Sequence, residues 1–361
     1  MTNRSDGMTY APQGKAEPVV VPGEFAFAAV HLDHGHIYGM CNGLSEAGAE
    51  LRWVFDPDAA KVKAFRERFP GVRVARSLDE VLDDPDVRLV AAAAIPNQRG
   101  PLGLSVMAAG KDYFTDKTPF TTLRQLENAR AKVAETGQKY LVYYSERLHS
   151  ECAVAAGELI QGGAIGRVVQ VLGLGPHRLN ALERPPWFFE RERYGGILCD
   201  IGSHQIEQFL TYTGAADATV VSARAENFNH PDTPEFEDFG EASLVGDNGA
   251  SGYFRVDWLT PDGLSTWGDG RTLILGTEGY IELRKYIDVA RQTTGDHLYL
   301  VDHEGEQHLE LGGRVGYPFF GRLILDCLNR AEHAMTQAHA FKAAELCLKA
   351  QALADEGIGR A

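Results

Sequence analysis

The chain is expected to be an α/β protein, with a doubly wound parallel sheet over residues 23–145 and an α+β domain with a largely antiparallel open sheet over residues 146–361. Three observations predict this. Up to about Ser145, short apolar runs alternate with segments of helical period, and the connections are short enough to imply strand–helix–strand units. One run, RLVAAAAI ending at Ile95, is apolar along nearly its whole length, as a strand buried on both faces of a parallel sheet must be. Beyond Ser145 the rhythm changes to β-type runs separated by Gly, Asp and Asn, as in antiparallel meanders.

Residues 1–22 are polar and unpatterned and are expected to form a flexible tail. Strands of the first domain are expected at Phe25–Val30, Leu51–Phe55, Val72–Ala75, Val87–Ile95, Tyr113–Thr115 and Tyr140–Tyr144. Helical periods fall between them: Ile37, Met40, Cys41 and Leu44; then Val62, Phe65 and Phe69; then Leu123, Leu126, Ala129 and Val133. Ser77 with Glu80 forms a capping box, Pro101 suits a first helical position, and Gly110 and Gly137 suit helix ends. Parallel strands joined in this way cross over right-handedly. In the second domain a helix over Glu151–Gln161 and a strand over Arg167–Leu174 lead into a Pro- and aromatic-rich loop, Gly175–Gly196, and a helix over Gly202–Thr213. Strand runs extend from Thr219 to about Leu311, and helical periods return at Phe319–Glu332 and Phe341–Asp355.

Composition narrows the function classes. A length of 361 residues suits about two domains, and 44% hydrophobic with 24% charged residues is an ordinary globular balance. A net charge of −15, with no block of Lys and Arg, argues against nucleic acid as a partner. The most apolar stretch, Leu89–Ile95, falls far short of the roughly 20 residues that span a bilayer, so no membrane partner is expected. The first residues show no apolar core and no cleavage pattern, so no secretory leader is expected. Cys41, Cys152, Cys199, Cys327 and Cys347 are scattered and never form C-x-x-C, which predicts buried, reduced thiols in a cytoplasmic protein.

The turn after the first strand is His31-Leu32-Asp33-His34-Gly35-His36-Ile37-Tyr38-Gly39. In a nucleotide-binding α/β domain this turn cradles a pyrophosphate at a helix N-terminus. The usual G-x-G-x-x-G would fall on His31, Asp33 and His36, so side chains crowd the backbone approach and Asp33 would repel phosphate. Gly35 and Gly39 are expected to relieve the turn instead. Three readings stay open: a modified cofactor loop, polar residues lining a loop, or a metal site built on His31, Asp33, His34 and His36. The second strand ends at Asp56, placed where an acid accepts hydrogen bonds from a ribose and repels a 2′-phosphate; starting the next helix is its plainer role. Pro96-Asn97 ends the fourth strand, over the crevice of a parallel sheet. Lys117, at the same edge, can hydrogen-bond a substrate hydroxyl and stabilise a developing alkoxide, or it can simply be solvated.

The segment Gly195-Gly196-Ile197-Leu198-Cys199-Asp200-Ile201-Gly202-Ser203-His204 turns tightly into a helix, with Asp200 and His204 four apart on one side. Such a pair is an acid/base device, or an N-cap with an unrelated histidine. His177, Arg178, Arg184, Trp187, Phe188 and Tyr194 in the preceding loop offer stacking faces and donors for a sugar ring, or pack the domain. Arg147 is a further candidate at the mouth of the cleft.

Taken together, Pro96-Asn97, Asp116-Lys117-Thr118-Pro119 and Gly195 through His204 resemble the P-N turn, the E-K-P segment and the G-G-x-x-x-D-x-G-x-H segment of the glucose–fructose oxidoreductase / inositol 2-dehydrogenase (Gfo/Idh/MocA) family of sugar dehydrogenases. The resemblance runs from about Phe25 to the C-terminal helices. It implies a Rossmann-type first domain and NAD as cofactor, bound around Leu32, His34, His36, Ile37, Asp56, Pro96, Asn97 and Lys117. No metal is expected, because alternate residues of the turn point different ways and no second cluster completes a site. The resemblance implies Lys117 as the lysine that orients the substrate hydroxyl, Asp200 as a partner of substrate and histidine, and His204 as the base. Arg147, His177, Trp187 and Tyr194 are then expected to contact a sugar or polyol. The antiparallel sheet would serve as a homo-oligomer interface, dimer or tetramer. The expected reaction is hydride transfer between nicotinamide and a secondary hydroxyl. A lyase or glycosidase that recycles NAD, and a non-catalytic sugar- or nucleotide-binding relative, are the alternatives. Two departures stand out: H-L-D-H-G-H replaces the glycine fingerprint, and D-K-T-P replaces E-K-P.

Overall fold

The computed structural model describes residues 6–14 and 17–357, which divide into two compact units. The first comprises Met8–Tyr143 with Gly316–Phe341. Its core is a sheet of six parallel strands, β1 (Ala26–Val30), β2 (Glu50–Phe55), β3 (Arg73–Val74), β4 (Val87–Ala92), β5 (Asp112–Asp116) and β6 (Tyr140–Tyr143), in the order β3-β2-β1-β4-β5-β6. Every residue of β1 and β5 is buried, as expected for inner strands covered on both faces. The helices are α1 (His36–Glu46), α2 (Ala59–Arg68), α3 (Leu78–Leu82), α4 (Pro96–Ala108) and α5 (Leu123–Thr136).

Local chemistry explains where expectation and structure part. The strand expected at Val72–Ala75 shrinks to the exposed edge pair of β3. The run expected to Ile95 leaves the ladder after Ala92, because the Ala93 N–H and C=O are bonded to His31 and His34 of the turn. Pro101 lies inside α4, and Pro96 takes its first turn. The N–H that Pro101 lacks would have met the Asn97 carbonyl, and Gln125 Nε2 donates to that oxygen at 2.8 Å instead. Ser77 does cap α3, accepting from Glu80 N at 3.1 Å, and Gly137 closes α5 in the left-handed region.

The stretch expected as a flexible tail lies partly outside the described residues; its described part is tied down. Asn42 Nδ2 donates to the Ala11 and Pro12 carbonyls, Gly14 N donates to the Glu46 carboxylate, and Val20 is buried. The chain also returns to this unit late, so the continuous division at residue 145 does not hold. A helix over Pro318–Asn329 (α11 in chain order) sets Phe319 and Phe320 on Phe114. A Cβ at Gly43 of α1 would fall 2.4 Å from the Phe320 ring, so only glycine fits that approach.

The second unit comprises Tyr144–Val315 with the described residues of 1–7 and 342–361. Its helices are α6 (Ser145–Leu148), α7 (Glu151–Gln161), α8 (Arg191–Tyr194), α9 (Ile197–Asp200) and α10 (Gly202–Thr213), joined after α11 by most of α12 (Gln337–Gly357). Its sheet holds β7 (Val168–Pro176), β8 (Ala218–Glu226), β9 (Phe239–Gly246), β10 (Ser251–Asp257), β11 (Arg271–Gly276), β12 (Gly279–Arg284), β13 (His297–Asp302) and β14 (Glu306–Glu310), in the order β14-β13-β12-β11-β7-β10-β9-β8. Only β7 and β10 pair in parallel. α10 lies on one face, where Gln205 fills the space above Gly173 and Gly175 of β7. All five cysteines are buried and free, and no described helix is long and apolar enough to cross a membrane.

Candidate functional site

The turn after β1 is bent by a histidine. His31 has φ +51°, a left-handed conformation that β-carbon-bearing residues seldom adopt and histidine adopts more readily than most. Gly35, the N-cap of α1, has φ −64°, and Gly39 lies inside the helix, so neither glycine makes the bend that was expected of them. Asp56 braces the turn. Its Oδ2 accepts from Leu32 N at 2.6 Å and its Oδ1 from Asp58 N at 2.8 Å. Asp33, expected to repel phosphate, pairs with Lys61 at 2.5 Å.

At the end of β5, Asp116 is a fully buried hub. Its Oδ1 accepts from Lys117 N and from His36 Nδ1, each at 2.8 Å, and its Oδ2 accepts from Arg99 Nη2 at 3.2 Å. Burial would raise its pKa, but the charges of His36, Arg99 and His34 outweigh that and hold the carboxyl far below the usual range. Arg99 also donates to the carbonyls of Ala94, Lys117 and Thr118, which clamps the lysine segment from its other side. Lys117 itself is buried. His34 Nδ1 accepts from His36 N at 3.2 Å, and burial, with His36 nearby, lowers its pKa well below that of a free imidazole.

These residues fit a dinucleotide. Each Asp56 oxygen has one backbone donor and a second lone pair left for a ribose hydroxyl. Asn97 Oδ1, behind Pro96 at the start of α4, is buried and accepts no hydrogen bond, so it can take a ligand donor. His34 feels the charges of Arg99, Lys117 and Asp116, two cations against one carboxylate, and that surplus favours an anion. Ile37, expected at the cofactor, is fully buried in α1. Of the four residues considered as metal ligands, His34 and His36 converge with Asp116, their ligand atoms within 4.8 Å. Arg99 pairs with that carboxylate at 3.2 Å, and His34 Nδ1 accepts from His36 N.

In the second unit, Gly195 and Gly196 have φ +91° and +97°, as the tight turn into the helix requires. A Cβ on Gly196 would fall 2.3 Å from Gln351 Oε1. Asp200 ends α9, and His204 sits in the first turn of α10; Ile201 between them is helical, so the four-residue spacing is kept. Both side chains are buried. The His177 ring packs between Trp267 and Trp258, at 4.5 and 5.3 Å, with Nδ1 3.1 Å from the Gly175 carbonyl. Arg147 is gripped by the buried Glu207 through both Nε and Nη2. Trp187 packs on Phe188, and Tyr194 OH accepts from Glu237 N at 3.0 Å.

One group here was not foreseen. Glu146, 1% exposed, accepts from Lys285 Nζ and Gln205 Nε2 through Oε2, each at 2.9 Å. Its Oε1 accepts no hydrogen bond and lies 3.9 Å from His177 Nε2. Burial raises its pKa, but Lys285, His204 and His177 more than reverse this, to about 2. Lys285 is 139 residues away in sequence, so no local spacing could have revealed the pair.

Comparison with known proteins agrees with this geometry. Residues 33–144 match the oxidoreductase family model with an NAD-binding Rossmann fold, and residues 153–282 match the GFO/IDH/MocA C-terminal domain. A crystal structure from Erwinia carotovora atroseptica SCRI1043, classed as an oxidoreductase, is 52% identical, with a TM-score of 0.89 over 91% of this chain and 98% of that one. The scyllo-inositol 2-dehydrogenase (NAD(+)) of Bacillus subtilis is 27% identical over 66% of this chain and 67% of its own length. An uncharacterised oxidoreductase of Schizosaccharomyces pombe is 29% identical over 48% of this chain; the chain spans about half the length of most curated relatives it matches, 46% in that case. The chain therefore belongs to the Gfo/Idh/MocA family of oxidoreductases, and its first unit carries that family's NAD-binding Rossmann domain.

Proposed function

We propose that the protein is an NAD-dependent dehydrogenase that acts on a secondary hydroxyl of a sugar, glycoside or cyclic polyol. The observation that carries this reading is the buried Lys117 at the carboxyl end of β5, clamped through its backbone by Asp116 and Arg99 in a chain of an oxidoreductase family. When bound, NAD accepts the hydride. Asp56 would hold the adenosine ribose, and Asn97 with the turn residues Leu32, His34 and His36 would line the rest of the dinucleotide. Lys117 donates to the substrate oxygen and stabilises charge as it develops there. His204 takes the hydroxyl proton, and the Asp200 carboxylate favours the protonated imidazole. His177, packed between its two tryptophans, would shape the substrate pocket from behind, with Arg147, Trp187 and Tyr194.

We further propose a cytoplasmic homo-oligomer, dimer or tetramer. Val245, Tyr253, Leu273, Leu275 and Tyr280 share the face of the eight-stranded sheet opposite α10 and are all exposed, as an interface between copies requires. Leu273→Arg should shift the protein to monomer in size-exclusion chromatography with light scattering; an unchanged mass would move the interface elsewhere. The activity itself is tested by NADH absorbance against a panel of aldoses, inositols and glycosides. NADH should form with one of these classes, and Lys117→Ala should lower turnover at least about 100-fold with an unchanged unfolding curve. Near-normal turnover in that variant removes Lys117 from the chemistry. Release of an aglycone without NADH accumulation reassigns the protein to NAD-recycling bond cleavage.

A further inference from the structure

Two departures from the family's motifs meet in this chain. His36 stands where the fingerprint has its third glycine, and Asp116 stands where E-K-P has glutamate. Their side chains form one hydrogen bond, His36 Nδ1 to Asp116 Oδ1 at 2.8 Å, with side-chain exposures of 6% and 0%. The two changes are complementary in length. Aspartate draws the carboxylate back by roughly 1.5 Å, one carbon–carbon bond, and the imidazole fills toward it. A glycine at 36 would leave Oδ1 without this donor.

The same Oδ1 receives the Lys117 amide at 2.8 Å. A single carboxylate oxygen thus joins the turn that faces the cofactor to the backbone of the lysine. Proton positions follow from the partners. Asp116 is ionised, so His36 Nδ1 carries the proton and donates. The lone pair on His34 Nδ1 accepts the His36 amide at 3.2 Å, and the two rings pack edge to face at 4.2 Å, so His36 has little rotational freedom.

We propose that His36 and Asp116 are positioning residues for Lys117, a His–Asp strut formed by the two residues that depart from the family's motifs. The proposal rests on Lys117 as the lysine that orients the substrate hydroxyl. Through the strut, the conformation of the turn at residues 31–36 sets the orientation of Lys117, so a change at residue 36 acts on turnover as well as on dinucleotide affinity.

The test compares His36→Ala with His36→Asn, whose side-chain amide keeps an N–H donor near the place of Nδ1. Three quantities are measured on the full chain: kcat and KM at saturating NAD, NAD affinity by tryptophan fluorescence, and the ¹³C NMR signal of Lys117 after reductive methylation. His36→Ala should lower kcat roughly 100-fold, the cost of a misplacement of about 1 Å, and His36→Asn should recover most of that loss. The Lys117 signal should move in the alanine variant and return in the asparagine variant. That signal involves no turnover, so it still reports on the strut if the dehydrogenase reading itself fails. Loss of thermal stability with kcat and the Lys117 signal both unchanged would reduce the pair to a structural role and overturn the proposal. Stoichiometric zinc or iron in the purified protein, lost in His36→Ala, would overturn it in favour of a metal centre at His34, His36 and Asp116.

Discussion

Asp56 shows how much one carboxylate can settle. Its two oxygens brace the turn at Leu32 and start α2 at Asp58, and the proposed function sets the same charge against a ribose. Asp56→Asn keeps one acceptor and removes the charge. NADP⁺ should then bind about tenfold more tightly relative to NAD⁺, a change of roughly 1.4 kcal/mol, read from tryptophan quenching titrations with each nucleotide. An unaltered preference would place discrimination on another residue. The positions of Asp56 and Lys117 at strand ends were legible because the apolar runs before them mark where each strand stops. Glu146 was not. It stands beside Arg147, which drew attention as the cation, and its partner Lys285 comes from a distant strand end. The remaining hint was an acid two residues after the apolar run Tyr140–Tyr144. Likewise Asp33 looked hostile to phosphate until the structure supplied Lys61.

At the scale of elements, period and punctuation located the helices and strands, and hydrogen bonds reaching across elements decided their ends. Glu151–Gln161 and Gly202–Thr213 form as expected because their apolar periods run uninterrupted to a helix-ending glycine. Pro101 misled, since proline belongs in the first turn by propensity. The rescue of α4 comes from Gln125 on a neighbouring helix, whose Nε2 meets the Asn97 carbonyl and whose Oε1 accepts from Thr121 N at 2.9 Å. Gln125 therefore links α4 to the end of the lysine segment. Gln125→Ala should destabilise the protein by about 1–3 kcal/mol in urea unfolding, because it strands a partly buried carbonyl and an amide together. If the loss is under a few tenths of a kcal/mol, water replaces the side chain and α4 holds without it.

For the whole molecule, the chain leaves the first unit at Tyr143, beside the change of rhythm near Ser145, but nothing in that rhythm marks the return of residues 316–341 to it. That return depends on Phe319 and Phe320 finding a gap at Gly43, a tertiary match that no window of sequence displays. The buried charges have a global consequence as well. Glu146 has a folded pKa of about 2, and Asp116 is held far below the usual carboxylate range, against about 4 for both when unfolded. Folded values below unfolded ones mean that their stabilisation is complete above about pH 5 and drains away as pH falls toward the folded values. Glu237, Asp257 and Asp296 act in the opposite sense, since burial raises their folded pKa values, and they soften the loss. Stability should thus be nearly flat from about pH 7 to 8, decline below about pH 6.5 because His34 stays neutral in the fold while it protonates in the unfolded chain, and fall steeply below about pH 4. Glu146 contributes about 3 kcal/mol of that acid limb, at about 1.4 kcal/mol for each pH unit between its two pKa values. Lys285→Met alone strands a buried carboxylate and should cost about 3–5 kcal/mol at neutral pH. Glu146→Gln combined with Lys285→Met removes both charges, so it should cost less than the single variant and show a shallower acid limb in urea unfolding between about pH 3 and 7. An acid limb as steep as the parent's would mean that Glu146 does not titrate in this range and that Asp116 carries the whole effect.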